Sequence, residues 1–121
     1  MSYRYQAKVV RVIDGDTVIL DVDLGFGIWV HDTPFRLLGI NAREKSDEGG
    51  PQARMNLMTV LPVNTPVTLN SVKPDKFGGR YDAVVTLPDG SDLSASLIKT
   101  GWAAPWDGKG PKPIPPWPRP E

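Results

Sequence analysis

Short segments that alternate apolar and polar residues, or that hold several β-branched residues, recur along the chain. The alternation is clearest at Val18, Leu20, Val22 and Leu24, with polar residues at positions 17, 21 and 23. A period of two is typical of a strand that buries one face. The pattern predicts five strands, at 9–13, 18–24, 35–40, 67–72 and 81–87.

Turn-forming residues separate these segments. Asp14-Gly15 follows the first predicted strand. Residues 25–27 and 31–34 both have turn composition, and the pattern does not decide which of them closes the hairpin between the second and third strands. The chain's single histidine, His31, lies in the second of these segments, where we expect it to face solvent rather than to bind a metal.

Two further segments have helical spacing. Pro51 suits a first helical residue, and Ala53, Leu57 and Leu61 follow at intervals of four before another proline. A second, shorter helix is predicted at 93–100, and the element order becomes β-β-β-α-β-β-α. This order predicts a mainly β (α+β) fold, an OB-type five-stranded Greek-key β-barrel. One helix would lie between strands 3 and 4, and a second short helix would follow strand 5.

The C-terminal stretch differs in composition from the rest of the chain. Six of the 13 prolines lie at 108–121, so we predict a barrel domain at 1–107 and an extended, proline-rich tail at 108–121. Such a tail is a surface segment or linker, a ligand for a partner's proline-recognising groove, or a strap whose Trp117 packs on the barrel. The prolines alone do not distinguish these alternatives.

Composition and charge narrow the classes of function. The chain has no cysteine, which excludes disulfides, thiolate metal sites and cysteine nucleophiles. The net charge is zero at pH 7, which argues against a protein that holds nucleic acid only by a global cationic field. Eight acidic and four basic residues lie at 11–50, and the remainder has the opposite imbalance. Such a split suits one region to a cation and the other to an anion, or is ordinary solvated surface charge.

Targeting signals are lacking in the sequence. No apolar run approaches the roughly 20 residues that cross a bilayer. The first residues do not combine a charged region with an apolar one, as a secretory signal does. We therefore expect a cytoplasmic protein with no membrane partner.

Polar residues that can carry chemistry lie around the first three predicted strands. Asp14-Gly15-Asp16 places two carboxylates in one turn, and Asn41 and Glu44 follow the third strand. Neighbouring strands lie about 4.8 Å apart, so Asp16 and Asn41 can reach one ion of the hard type that prefers oxygen ligands.

Arg36 interrupts an otherwise apolar strand. If its side chain faces inward, it needs an anionic partner to offset burial. The alternative is an outward-facing arginine on an edge strand, and spacing alone does not choose between the two.

Four segments, taken in order, resemble the successive motifs of the staphylococcal nuclease (thermonuclease) family. They are VIDGDT at 12–17, FRLLGINARE at 35–44, DKFGGR at 75–80 and LIKTGWA at 97–103. The resemblance covers about residues 8–106 and implies an OB-type barrel. The proline-rich tail stands where the best-known members have a third helix, so the chain resembles a small member of the family, and a phage or prophage origin would fit.

The resemblance implies a calcium site. Asp16 matches the family's direct aspartate ligand, Asn41 falls where a second aspartate ligand is usual, and Ala42 matches a position that supplies a main-chain carbonyl. Asp14 matches an acidic residue near the metal, outside the direct ligands. Asn41 removes one negative charge from the ligand set, which implies weaker Ca²⁺ binding or a preference for Mg²⁺ or Mn²⁺.

The resemblance also implies the catalytic residues. Glu44 matches the general base that acts on the attacking water, and Arg36 and Arg80 match the two arginines that hold the scissile phosphate. Lys76 lies where relatives have a loop that contacts substrate. A phosphodiester is an anion and repels a hydroxide nucleophile. A cation and guanidinium groups would offset its charge, and a base would activate the attacking water.

Three departures from the family pattern bear on this expectation. Arg43 replaces the usual proline and puts a cation beside the metal site. Gly78-Gly79 adds one residue before Arg80, which could displace that arginine. The tyrosines that pack against the nucleotide in relatives have no clear counterpart here, and Trp106 is the nearest aromatic candidate.

The activity implied is a divalent-cation-dependent, sugar-nonspecific nuclease, a hydrolase of phosphodiester bonds in DNA and RNA. The alternative is a catalytically weak or inactive nuclease-like module that binds nucleic acid or protein. No sequence feature requires a protein partner, although the proline-rich tail could dock to one.

Overall fold

The computed structural model describes residues 3–115 of the chain. Seven strands and two helices lie within this range, and their bounds are as follows: β1 Tyr5–Asp14, β2 Thr17–Gly25, β3 Ile28–Leu37, β4 Ile40–Ala42, α1 Gly50–Val60, β5 Pro66–Pro74, β6 Tyr81–Thr86, α2 Leu93–Lys99 and β7 Ala103–Pro105.

Five of the strands close into a barrel in the order β1-β2-β3-β6-β5, with β5 returning to β1. The β3–β6 pair is parallel and the other neighbours are antiparallel. The prediction of a mainly β fold with a closed five-stranded barrel and two helices is confirmed.

The core fills the inside of the barrel, and each of the five barrel strands contributes apolar residues to it. In β1, Ala7 and Val9 point inward and the next buried residue is Val12. That spacing of three results from a register shift between Val9 and Arg11, which gives β1 one extra residue against β2. The shift returns the apolar face of β1 to the core.

The third predicted strand, at 35–40, is wrong in both of its bounds. Residues 25–27 form the hairpin turn, so β3 begins at Ile28 and His31 lies in a strand rather than a turn. His31 is exposed there, as expected. The strand breaks at Gly39, whose φ of 82° is a left-handed conformation, and β4 then leaves the barrel to pair with β7. Apolar residues on both sides of Gly39 hide this break in the sequence.

Helix α1 packs closely against the turn between β1 and β2. Leu57 is fully buried and Ala53 is 2% exposed. A Cβ atom at Gly15 would lie 2.9 Å from the Cβ atoms of both Ala42 and Ala53. The absence of a side chain at Gly15 therefore allows α1 and β4 to pack closely against the turn, beside its two aspartates.

In the part of the chain that the structure describes, no helix is long and apolar enough to cross a membrane. The proline-rich tail is described as far as Pro115, and its residues 111–115 form neither helix nor strand. The predicted packing of Trp117 lies outside the described residues.

Candidate active site

The turn between β1 and β2 meets β4 through the carboxylate of Asp16. The backbone N–H of Ala42 donates to Asp16 Oδ2 over 3.1 Å, and the Thr17 hydroxyl donates to Oδ1 over 3.0 Å. The backbone N–H of Leu37 donates to the carbonyl oxygen of Asp16 over 2.9 Å. Asp16 is 8% exposed and Asn41 is 6% exposed. The two oxygen-bearing side chains expected to share an ion are therefore brought together.

Arg36 bridges these two side chains. Its Nη2 lies 3.4 Å from Asp16 Oδ2 and 3.3 Å from Asn41 Oδ1. Arg36 is 9% exposed, so of the two orientations left open by the sequence, the structure has the buried one. Asp16 supplies the anionic partner that burial of a guanidinium requires.

The indole of Trp106 covers the outer face of this guanidinium. The ring centroid lies 5.0 Å from Arg36 Cζ. The backbone N–H of Trp106 donates to the Gly39 carbonyl over 2.8 Å, and its Nε1–H donates to the Lys109 carbonyl over 3.0 Å. Lys76 Nζ and Lys112 Nζ lie 5.6 and 5.8 Å from the same ring. Three cationic groups thus lie within 6 Å of the ring centroid, and their combined charge attracts anions.

Arg36 and Arg80 line one open cavity of about 570 Å³. Six basic residues, three acidic residues and two aromatic residues are among its lining: Arg36, Lys73, Lys76, Arg80, Lys109, Lys112, Asp75, Asp82, Asp107, Phe77 and Trp106. The chain is neutral as a whole, but this cavity has an excess of positive charge. The loop that contains Gly78-Gly79 leaves Arg80 at the same cavity as Arg36.

Arg80 is held by an aspartate. Its Nε lies 3.5 Å from Asp75 Oδ2, and the backbone N–H of Asp75 donates to the Arg80 carbonyl over 3.0 Å. The Arg80 side chain is 30% exposed whereas that of Asp75 is 5% exposed. Arg80 is therefore oriented from within and remains accessible from the cavity.

A carboxyl pair that the sequence pattern did not single out, Asp75 and Asp82, lies beside the two arginines. Burial, a hydrogen bond to Asp75 and the charge of Asp75 raise the pKa of Asp82 to about 6, and Arg36 and Arg80 oppose that rise. Burial acts against the Asp75 carboxylate, yet the hydrogen bond from Asp82, the Phe77 N–H and Arg80 lower its pKa. The signal in the sequence was an acid among the apolar residues of β6, where Asp82 lies opposite Arg36 in the parallel pair.

Glu44 lies at the rim of the site, in the loop between β4 and α1. Its backbone N–H donates to Asp47 Oδ2 over 3.0 Å, and the Asp47 N–H donates back to the Glu44 carbonyl over 2.9 Å. The Glu44 side chain is 56% exposed, and its Oε1 lies 3.3 Å from Lys112 Nζ. A Cβ atom at Gly50 would lie 1.7 Å from the Glu44 carbonyl oxygen, so Gly50 allows this loop to fold against α1.

Asp14 bears on whether these residues suit a cation. Its Oδ1 is buried and, among residues 3–115, has no hydrogen-bond partner. Burial and the negative charge of Asp16 raise the pKa of Asp14, Lys45 lowers it and Glu44 raises it further. An unpartnered buried oxygen beside other carboxylates is the type of ligand that a hard cation prefers. As arranged, however, no group of three or more His, Cys, Asp or Glu within the described range could hold a metal ion, and Arg36 Nη2 lies between the oxygens of Asp16 and Asn41.

The proline-rich segment also contacts the site, a position that the sequence pattern did not predict. Asn41 Nδ2 donates to the Pro113 carbonyl over 2.9 Å, and Arg43 Nη2 donates to the Pro115 carbonyl over 2.9 Å. Lys76 Nζ donates to the Gly108 carbonyl. These are contacts between residues far apart in the chain, and no local pattern signals them.

The structure thus brings Asp16, Arg36, Asn41 and Ala42 into direct contact, with Glu44 at the rim and Lys76 and Arg80 across the cavity. Comparison of the chain with models of known protein families and with curated proteins returned no match.

Proposed function

We propose that this chain is a divalent-cation-dependent, sugar-nonspecific nuclease that hydrolyses phosphodiester bonds of DNA and RNA on an OB-type Greek-key barrel. The observation that supports it best is the placement of Arg36. A buried guanidinium contacts Asp16 and Asn41, lies against an indole and opens onto the same basic cavity as Arg80. Two guanidinium groups at one cavity suit the equatorial oxygens of a phosphate undergoing substitution.

Each residue has a role in this proposal. Arg36 and Arg80 bind the scissile phosphate and stabilise the charge that develops on it. Glu44 lies at the solvent-exposed rim, where its carboxylate can accept the proton of the attacking water. Lys76 contributes positive charge on the substrate's path. Phe77, which is 76% exposed, offers an aromatic face on which a base can stack, independent of sequence.

The oxygens of Asp16 and Asn41, the Ala42 carbonyl and the nearby Asp14 would hold Ca²⁺, or Mg²⁺ or Mn²⁺. A bound divalent cation would polarise the phosphodiester and make the attacking water more acidic. Arg36 competes with a cation for Asp16 and Asn41, and a substrate phosphate would draw its guanidinium away. Cation and substrate should therefore bind with positive cooperativity.

A second candidate is a nuclease-like module that binds nucleic acid without cleaving it. It is favoured by Arg36 Nη2 between the two oxygens and by Lys112 on the carboxylate of Glu44. Both contacts neutralise groups that catalysis needs. The basic, aromatic cavity would serve this module equally well.

The first test is degradation of single-stranded DNA by the purified full-length chain with Ca²⁺, Mg²⁺, Mn²⁺ or EDTA. We expect cleavage that requires one of the cations, and a loss of about 10²- to 10⁴-fold in Glu44→Gln. Glu48→Gln is the matched control, since it makes the same change on an exposed residue of the same loop and should retain activity.

Equal activity in Glu44→Gln and the native chain would remove Glu44 from the mechanism. A folded chain that cleaves nothing with any of the three cations, but binds a labelled oligonucleotide in fluorescence anisotropy, would establish the binding module instead.

A further inference from the structure

The segment Trp106–Pro115, called the strap here, crosses the candidate active site. Its Lys112 Nζ lies 3.3 Å from Glu44 Oε1, and its Pro113 carbonyl accepts a hydrogen bond from Asn41 Nδ2 over 2.9 Å. Its Trp106 ring lies over Arg36, 5.0 Å from Cζ. The strap therefore contacts a residue from each part of the proposed machinery: the base, the ion site and the phosphate site.

The strap is anchored on both sides of these contacts. At one end, the Trp106 N–H donates to the Gly39 carbonyl over 2.8 Å. At the other, Pro115 is less than 2% exposed and its carbonyl accepts from Arg43 Nη2 over 2.9 Å. Between the anchors, Ile114 is 77% exposed. Prolines restrict the chain before it binds, so an extended strap loses little conformational entropy on closing.

Two contacts of the strap are with groups that catalysis would need. The ammonium of Lys112 neutralises the Glu44 carboxylate, which must be free to accept a proton from water. The Trp106 indole covers one face of the Arg36 guanidinium, which must bind the phosphate. The bond from Asn41 Nδ2 to the Pro113 carbonyl leaves the Asn41 oxygen free but fixes the strap beside it. The strap and a bound nucleic acid strand therefore compete for one surface.

We propose that the strap is an autoinhibitory segment that closes the active site and is displaced by nucleic acid. The regulation of catalysis rests on the nuclease function proposed above, whereas displacement by nucleic acid does not. The Lys112–Glu44 pair is exposed, with 45% and 56% of the side chains accessible, and exposed ion pairs are weak and screened by salt. A polyanion can compete for Lys112 and open the strap from its centre.

Two pairs of variants of the full-length chain separate closure from simple charge. Lys112→Glu repels Glu44, and Lys109→Glu makes the same change three residues earlier. Pro115→Asp places a charge at a buried anchor, and Ile114→Asp makes a matched change at the exposed neighbour. A negative charge near a basic cavity weakens nucleic acid binding by itself, so the two controls should lower cleavage of single-stranded DNA at limiting substrate.

Opening of the strap should instead increase the cleavage of single-stranded DNA. Lys112→Glu should raise cleavage by roughly 2- to 5-fold, the range that an exposed ion pair supports, and Pro115→Asp should raise it at least as much. Circular dichroism checks that the Lys112→Glu and Pro115→Asp variants are folded. If Pro115→Asp unfolds, Lys112→Glu still tests the proposal, because Lys112 is exposed and its replacement should not disturb the fold. Cleavage that falls in both members of each pair would overturn autoinhibition.

Displacement is measured without catalysis. The chain has no cysteine, so Met55→Cys on α1 and Ile114→Cys on the strap, both at exposed positions, take a pair of spin labels. Pulsed electron resonance in EDTA should show one distance distribution for the native background. A longer, broader one is expected with a single-stranded oligothymidylate, and also in Lys112→Glu without nucleic acid.

The outcomes distinguish this inference from the proposed function. A native chain that cleaves DNA, with label distances unchanged by the oligonucleotide, would retain the nuclease and refute the strap. Label distances that lengthen in a chain that cleaves nothing would support displacement of the strap and refute the nuclease.

Discussion

Arg36 Nη2 lies 3.3 Å from Asn41 Oδ1, and the same atom lies 3.4 Å from Asp16 Oδ2. One guanidinium nitrogen thus contacts both side-chain oxygens that would bind a cation. Asn41 carries no charge, so among residues 3–115 Asp16 is the one anion in direct contact with the buried arginine. The chemistry of the site depends on whether Arg36 remains there or turns to a phosphate.

Replacing Arg36 by lysine should reduce cleavage by about 100-fold, the cost of removing one preorganised donor to developing charge. A lysine ammonium cannot make the two-pronged phosphate contact and lacks the planar group that lies against Trp106. Steady-state rates on single-stranded DNA measure this. Arg11→Lys is the control because Arg11 is exposed on β1. Equal rates in both variants would place Arg36 outside the reaction.

Replacing Asn41 by aspartate should increase the affinity for Ca²⁺ several-fold, because affinity rises with the charge of the ligands. The change also removes the amide donor to the Pro113 carbonyl, which should loosen the strap. Isothermal titration with Ca²⁺ measures the affinity. Asn56→Asp on α1 adds the same charge to a residue outside the proposed ligand set, and an equal gain there would assign the effect to overall charge.

Replacing Asp82 by asparagine should stabilise the protein at neutral pH. The folded pKa of about 6 exceeds the ordinary value of 3.8, so between these values the folded state binds more protons than the unfolded state. Stability from this group is therefore present below about pH 4 and is lost as pH rises through 6. An asparagine can still donate to Asp75 and carries no charge at any pH.

Thermal unfolding at pH 4 and pH 7.5 tests this. Asp82→Asn should have the higher Tm at pH 7.5, and the difference should shrink at pH 4. Asp89→Asn is a suitable comparison, since hydrogen bonds from Ser91 lower the pKa of Asp89 and its replacement should not stabilise. A Tm gain for Asp82→Asn that is equal at both pH values would contradict the titration.

Replacing Gly50 by alanine should lower activity by moving Glu44. The added Cβ would lie 1.7 Å from the Glu44 carbonyl oxygen and 2.5 Å from its carbonyl carbon, so the loop must shift. We expect a loss of at least tenfold in turnover, since small misplacement of a catalytic group is costly. Kinetics beside Gln52→Ala, at an exposed position of the same helix turn, tests it. Unchanged turnover in Gly50→Ala would show that the position of Glu44 is not critical.

The sequence determined what depends on neighbouring residues. Alternation and β-branched runs predicted five barrel strands, with the third misplaced at 35–40. Spacing of four with a leading proline predicted α1, because burial of one face imposes a period on adjacent residues. The polar positions Asp16, Asn41 and Glu44 stood out because they interrupt or follow such periods. The family resemblance and the roles it implies also came from local motifs.

Tertiary structure decided what depends on residues far apart. The break at Gly39 and the β4–β7 pair were hidden because apolar residues flank the glycine and the partner strand lies more than 60 residues away. The inward direction of Arg36 depended on Asp16, and the raised pKa of Asp82 depended on burial and on Asp75, which the β5–β6 loop brings beside it. The strap depended on Asn41, Arg43 and Glu44. A local pattern sets which face of an element is apolar, but the partner of a polar group, and hence its charge and orientation, is set by which segments the closed barrel brings within a few ångströms.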